Sequence, residues 1–184
     1  MIWSDNKIID MAERGMIEPF DERQLNPASY NLRLANKIRI PLPNMMHYKP
    51  VARNTHFSAY LTNEMEFETH VLSPGEFCLC CSVEYVRLPV ECSGVLYSRS
   101  SMGRIGLEHL HAGYVDPGFH GQLVFEFHNN APWPIMLEAG EQYMQIVFEA
   151  MDCAPGRSYA QTGRYWGQTG VQPARIDPLP RLAQ

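Results

Sequence analysis

Ser73-Pro74-Gly75-Glu76-Phe77-Cys78-Leu79-Cys80-Cys81-Ser82-Val83-Glu84-Tyr85 decides the fold class. Pro and Gly make a turn at its start, and Phe77, Leu79, Cys81, Val83 and Tyr85 then recur at every second position, the period of a pleated strand. The same period returns on either side. It is seen in Leu32, Leu34, Ile38 and Ile40 set against Arg33, Lys37 and Arg39, in Leu123, Phe125 and Phe127, and in Met144, Ile146 and Phe148. One segment carries a long helical signal: Ser4 as N-cap ahead of Ile8, Ile9, Met11 and Ala12, with Gly15 as the stop. Many short strands punctuated by Gly and Pro predict a mainly β chain, sandwich or barrel, behind a short N-terminal helix.

With 184 residues, 45% of them apolar, the chain suits a single domain, 1–184, with a substantial core. A net charge of −5 argues against a sequence-independent binder of nucleic acid, whose affinity comes from many Lys and Arg contacts to phosphate. No apolar run approaches the ~20 residues that cross a bilayer, and Met1-Ile2-Trp3-Ser4-Asp5 lacks a basic-then-apolar leader. The expectation is a soluble, cytoplasmic protein with no membrane contact. The five cysteines are odd in number, and Cys78, Cys80 and Cys81 crowd one apolar segment, which suits reduced core thiols better than a disulfide framework. From Pro41 to His70 the periodicity lapses into a long excursion with some edge strands. From Asp152 to Gln184 the chain is rich in Gly, Pro and polar residues, a tail unable to form its own core but able to fold over a ligand.

Three segments carry chemistry, each with a plainer reading beside it. Ser98-Arg99-Ser100-Ser101-Met102-Gly103-Arg104 follows the strand Val95-Leu96-Tyr97. A strand ending in a Ser-rich turn offers N–H groups and hydroxyls to an anion, and Arg adds planar donors suited to phosphate; an ordinary strand-to-helix cap with surface arginines fits equally. Glu126, between Phe125 and Phe127, falls on the strand face opposite them, beside Val124 and His128. It is a proton shuttle if that face is covered and a surface residue if it is open. Asp116-Pro117-Gly118 is a β-turn whose Asp either bonds its own backbone or accepts from a sugar hydroxyl. Zinc-dependent nucleobase deaminases use His-x-Glu and Pro-Cys-x-x-Cys. The chain has neither, and strand alternation splits the isolated pair Cys78 and Cys81 between faces, so no zinc and no other protein-held metal is expected.

Taken in order, Asn26-Pro27-Ala28-Ser29-Tyr30-Asn31-Leu32-Arg33-Leu34, Ser73–Phe77, Arg99–Arg104, His109-Leu110-His111-Ala112-Gly113-Tyr114-Val115-Asp116-Pro117-Gly118-Phe119, Glu126 and Arg164-Tyr165-Trp166-Gly167-Gln168-Thr169-Gly170 resemble the dCTP deaminase family, the deaminating branch of the trimeric dUTPase-like superfamily. The resemblance runs from about Ser4 to Arg175, and the ordered set is far more specific than any one member. It implies a distorted β-barrel subunit and a homotrimer with sites between neighbours. By matching position it implies Glu126 as the catalytic glutamate, with Ser100 and Arg104 as its helpers. Arg99 and Ser101 match the phosphate turn, Asp116 the acid that contacts the 3′-hydroxyl, and Ala112, with His111 before it, the backbone beside the base. Tyr159, Arg164 and Gln168 match tail positions that close on the triphosphate, which brings Mg²⁺ with it.

The implied activity is zinc-independent deamination of dCTP to dUTP and ammonia. A bifunctional enzyme giving dUMP, a dUTPase, and a nucleotide-binding regulatory trimer without turnover are the alternatives. Glu126 and Arg104 favour deamination over the dUTPase branch. His111 stands where the family usually has Thr, the stretch between Gly106 and His109 is one residue short, Arg164 replaces a Lys, and His128-Asn129-Asn130-Ala131-Pro132-Trp133 is an unusual connection. His111 is therefore expected close to the base.

Overall fold

In the computed structural model, which describes residues 1–43 and 57–175, the N-terminal segment forms helix α1, Asp5–Glu13. Residues 44–56 of the Pro41–His70 excursion and 176–184 of the tail lie outside the described residues. Ser4 occupies the N-cap position in extended conformation, but its side chain makes no capping bond. The Ser4 carbonyl instead accepts from the N–H groups of Lys7 and Ile8, and Asp5 puts negative charge on the first turn. Ile8 and Ala12 are the helix's buried residues, and Gly15, at φ 86°, turns the chain away where a side chain would be strained.

Twelve strands follow among the described residues: β1 Ile17–Glu18, β2 Leu25–Asn26, β3 Ser29–Arg39, β4 Met65–Glu66, β5 Thr69–Leu72, β6 Phe77–Arg87, β7 Cys92–Ser98, β8 Leu107–His109, β9 Tyr114–Val115, β10 His120–Asn129, β11 Ile135–Glu138 and β12 Gln142–Ala150. Helix α2, Ser100–Arg104, lies between β7 and β8, and helix α3, Tyr159–Thr162, lies in the tail. Ten strands make one curled antiparallel sheet in the order β8-β10-β6-β3-β12-β7-β9, with β1 added to β6 and both β2 and β4 added to β3. β5 and β11 pair separately. This is the mainly β, barrel-like architecture expected. No helix among the described residues is long and apolar enough to cross a membrane.

The curl encloses the main core, where Tyr30, Leu32, Phe125, Phe127, Met144, Ile146 and Phe148 are essentially fully buried. Each large side chain removed from water contributes about 2–3 kcal/mol. The deciding stretch is apolar on both faces: Cys78 and Cys80 enter this core, while Leu79 and Cys81 join a smaller cluster with Ala35 and Val171 on the other side of the sheet. Strand alternation thus separates Cys78 from Cys81 as expected, and all five cysteines are free. Burial pushes the thiols of Cys81 and Cys92 up to about 12, holding them protonated.

One carboxylate is enclosed with the core. Glu84 on β6 is fully buried and accepts from the Arg33 backbone N–H at 3.0 Å, Arg33 Nε at 2.8 Å and Gln24 Nε2 at 3.0 Å. These bonds tie β3, β6 and the 3-10 turn Glu22–Gln24 at one point. Arg33→Met strands a buried charge, so urea unfolding at neutral pH is expected to show a loss of about 3 kcal/mol. Adding Glu84→Leu to that variant is expected to recover most of the loss; an unchanged midpoint in Arg33→Met would show that the pair is not what holds β3 to β6.

Candidate active site

Burial along β10 alternates without a break: Gly121, Leu123, Phe125, Phe127 and Asn129 are buried, and His120, Gln122, Val124, Glu126 and His128 lie half-exposed on the other face. Because the first set is committed to the core, Glu126 points the opposite way, into a cavity of about 450 Å³. Leu123 and Val124 of β10 and Phe77 and Leu79 of β6 line it from the sheet. Leu96, Ala112, Tyr114, Val115, Asp116 and Phe119 line one side, and Tyr60 and Leu61 another. Tyr159, Tyr165, Gln168, Gln172 and Ala174 of the tail complete the wall. Its volume and its mostly apolar wall with a few polar groups suit a small-molecule ligand.

The Glu126 side chain is 25% exposed, but its Oε2 is buried and faces Nε2 of His109 at 3.0 Å. The two atoms are not aligned as a formed hydrogen bond, and neither has another partner. The backbone sets this meeting, since β8 pairs with β10 at His109 and Phe127, and Leu110 N–H donates to the Glu126 carbonyl at 3.1 Å.

Asp116 begins the expected turn: its carbonyl accepts from Phe119 N–H at 3.1 Å, and Gly118 takes φ 82°. Its exposed carboxylate lies on the cavity wall, so the turn and the ligand-facing acid coexist. The tail starts from the same turn. Tyr159 N–H donates to the Pro117 carbonyl at 3.0 Å, and the Tyr159 ring lies 5.7 Å from that of Phe119. Burial holds the Tyr159 phenol above its usual range, so it stays neutral on the cavity wall.

Farther on, Gly167 N–H donates to the His120 carbonyl at 2.7 Å, and the Gln168 carbonyl accepts from Gln122 N–H at 3.0 Å. Gln168 Nε2 donates to the Gln122 carbonyl at 2.7 Å, and its Oε1 is buried without a partner. Trp166 stacks on His120 at 5.5 Å. Burial first and Arg87 second hold the His120 ring below its ordinary pKa, which favours the neutral stack. Gly121 makes this docking possible, because a Cβ there would sit 2.9 Å from the Gln168 carbonyl oxygen.

Ala112, Asp116, Glu126, Tyr159 and Gln168 therefore share one cavity, and the other candidates do not line it. Ser100, Ser101 and Arg104 are exposed on α2, a short strand-to-helix turn, and Arg99 is half-buried with Nη1 donating to the Gln142 carbonyl at 3.1 Å. Arg164 is exposed, donating to the Arg175 carbonyl at 3.3 Å. His111 does not line the cavity of Glu126 within one chain. Its φ of 59° and the bond from its N–H to the His109 carbonyl at 2.8 Å swing the side chain out to 86% exposure, 3.6 Å from Glu108. There it borders a second cavity of about 440 Å³ with Ser98, Gly103, Gly106, His109 and Asn130.

Sequence reasoning missed Tyr60 and Leu61, which sit where no periodicity marks them, and carried His109 only as part of the family motif. Its place one strand over from Glu126 was the signal that could have found it.

Comparison with known proteins bears on the chain as a whole. The family model described as dCTP deaminase-like matches residues 2–151. Over 187 aligned residues the chain is 36% identical to "dCTP deaminase, dUMP-forming" of Methanothermobacter thermautotrophicus, covering 95% of this chain and 93% of that protein. It is 35% identical over 180 residues to the protein of the same name from Aquifex aeolicus, covering 96% and 95%. Among solved structures, 2′-deoxycytidine 5′-triphosphate deaminase from Agrobacterium tumefaciens superposes with a TM-score of 0.64 at 23% identity. That match covers 81% of this chain and 48% of the longer one, a likeness of fold.

Gly121→Ala is expected to lift the tail off β10, so that trypsin cuts after Arg164 at least ~10-fold faster while the body resists. Unchanged cleavage would show that the tail is not held at Gly121.

Proposed function

The chain belongs to the dCTP deaminase-like family, and from that membership we propose that it hydrolyses dCTP at C4 and carries the product on to dUMP. The observation that supports this reading most strongly is Glu126, a carboxylate on the covered, cavity-facing side of β10 that shares one cavity with Ala112, Asp116, Tyr159 and Gln168. A proton acceptor there needs a ligand that undergoes proton transfer, and the cytosine amidine is one.

Bulk water has a pKa of about 15.7, so an enzyme that activates water with a carboxylate must do so by position and by exclusion of solvent. Glu126 takes a proton from water as that oxygen bonds to C4, delivers it to N3, and then helps protonate the amine, which leaves as ammonia while C4 becomes a carbonyl. Atoms balance as dCTP + H₂O → dUTP + NH₃. A second water at the α-phosphate then releases pyrophosphate and leaves dUMP. The "dUMP-forming" names of the relatives favour this two-step product over release of dUTP.

Asp116 accepts from the deoxyribose 3′-hydroxyl, the Ala112 backbone meets the base, and Tyr159, Gln168 and Arg164 close on the phosphates. Ser100 and Arg104, with Arg99 and Ser101 for phosphate, act from α2 and the residue before it in a neighbouring copy of a homotrimer. Their separation from the cavity within one chain supports that arrangement. Mg²⁺ would be held by the triphosphate oxygens, where it offsets their charge.

Incubation with dCTP and Mg²⁺ is expected to yield ammonia and pyrophosphate in equal amounts. Ammonia alone would stop the reaction at dUTP, pyrophosphate from dUTP alone would make the chain a dUTPase, and tight binding without turnover would make it a regulator. Glu126→Gln is expected to lower ammonia release by at least ~10³-fold with dCTP binding within a few-fold of the parent. Retained deamination would remove Glu126 from the chemistry.

A further inference from the structure

His109 has no role in the reaction as described so far, yet it touches the group that has the largest one. It is 3% exposed, at the end of β8, and its Nε2 and the Oε2 of Glu126 face each other at 3.0 Å with no other hydrogen-bond partner for either. Leaving two such atoms buried and mutually unbonded is unfavourable, and a small rotation of the carboxylate would join them. The ring is confined by an edge-on contact with Phe125 at 6.4 Å and 79°, and by the pairing of its own backbone against Phe127. The imidazole is thus the fixed member of the pair and the carboxylate the adjustable one. Contacts of this kind are commonly loose without substrate and tighten when it binds.

We infer that His109 is a positioning residue for Glu126: its Nε2–H holds Oε2 on the buried side and leaves the other carboxylate oxygen turned to the water and the base. The logic is that of a base oriented by a third group, with carboxylate and imidazole exchanging their familiar roles. His109 does not itself line the cavity of Glu126, so it acts through the carboxylate and not on substrate. It lines the second cavity instead, which makes the imidazole a partition between the two. The inference rests on Glu126 being the deaminating base.

Packing against Phe125 would also account for a buried ring here, and variants separate the two. His109→Phe keeps the bulk and loses the donor; it is expected to lower kcat for ammonia release by at least ~10²-fold with KM within ~3-fold. His109→Gln, which keeps an N–H donor, is expected to stay within ~10-fold of the parent. In His109→Ala, added imidazole entering from the second cavity is expected to raise kcat at least ~10-fold, a rescue that restored packing of a distant wall would not give. Melting temperatures of all three establish that they are folded. A parent-like kcat in His109→Phe overturns the inference, as does equal impairment of Phe and Gln variants with no imidazole rescue. If the parent itself releases no ammonia, the deaminase reading fails first, and the two failures are distinguished.

Discussion

Burial of Leu123, Phe125 and Phe127 in the main core is the constraint on which the site depends. A strand has two faces, and a slip of one residue exchanges them. With three large side chains committed inward, such a slip would expose them at a cost of about 2–3 kcal/mol each, so Glu126 is held facing the cavity without any polar contact having to hold the strand. The same strand also serves the tail. Gln122 pairs with Tyr85 while Val124 pairs with Cys81, so β6 spends four residues where β10 spends two. Ser82 fills the irregularity, its Oγ accepting from Leu123 N–H at 2.9 Å and donating to the Glu84 carbonyl at 2.6 Å. Before this bulge β10 offers backbone groups to Gly167 and Gln168; after it, the strand presents Glu126.

The tail and the barrel differ in what keeps them in place. The barrel is held by burial of apolar side chains on long strands, and its buried carboxylate Glu84 is bonded to Arg33 and Gln24. Over residues 158–175 the tail is joined to the body by backbone and side-chain hydrogen bonds and by rings at its surface, with Val171 its deepest anchor, donating to Glu64 and accepting from Arg39. Contacts of this kind open more readily than a core, which suits the role proposed for the tail in admitting and releasing a nucleotide.

How much was legible in the sequence follows from the length of each element. Long strands such as β3, β6, β10 and β12 announce themselves by a period of two, and Glu126 is placed on the correct face by counting from Phe125. β8 and β9, of three and two residues, are too short for any period to show, yet they carry His109 and the approach to Asp116. The 3-10 turn Phe57–Tyr60 lies in the Pro41–His70 excursion, where neither period applies, so Tyr60 is found only by its position in space. His111 illustrates a different limit. Its place in the motif was readable, but its outward direction comes from a left-handed backbone conformation that residue type does not announce, since His, unlike Gly, adopts it only where the surrounding turn demands it.

The separation of Ser100 and Arg104 from the cavity of Glu126 makes the central claim a statement about two copies: one supplies the carboxylate, its neighbour the hydroxyl and guanidinium. Mixing two separately inactive variants, Glu126→Gln and Arg104→Ala, under conditions that exchange subunits tests it most directly. If each site takes one residue from each of two neighbours, random mixing leaves about a quarter of the sites with both groups intact, and ammonia release should return to about a quarter of the parent rate. A mixture no more active than its two components would contradict the claim.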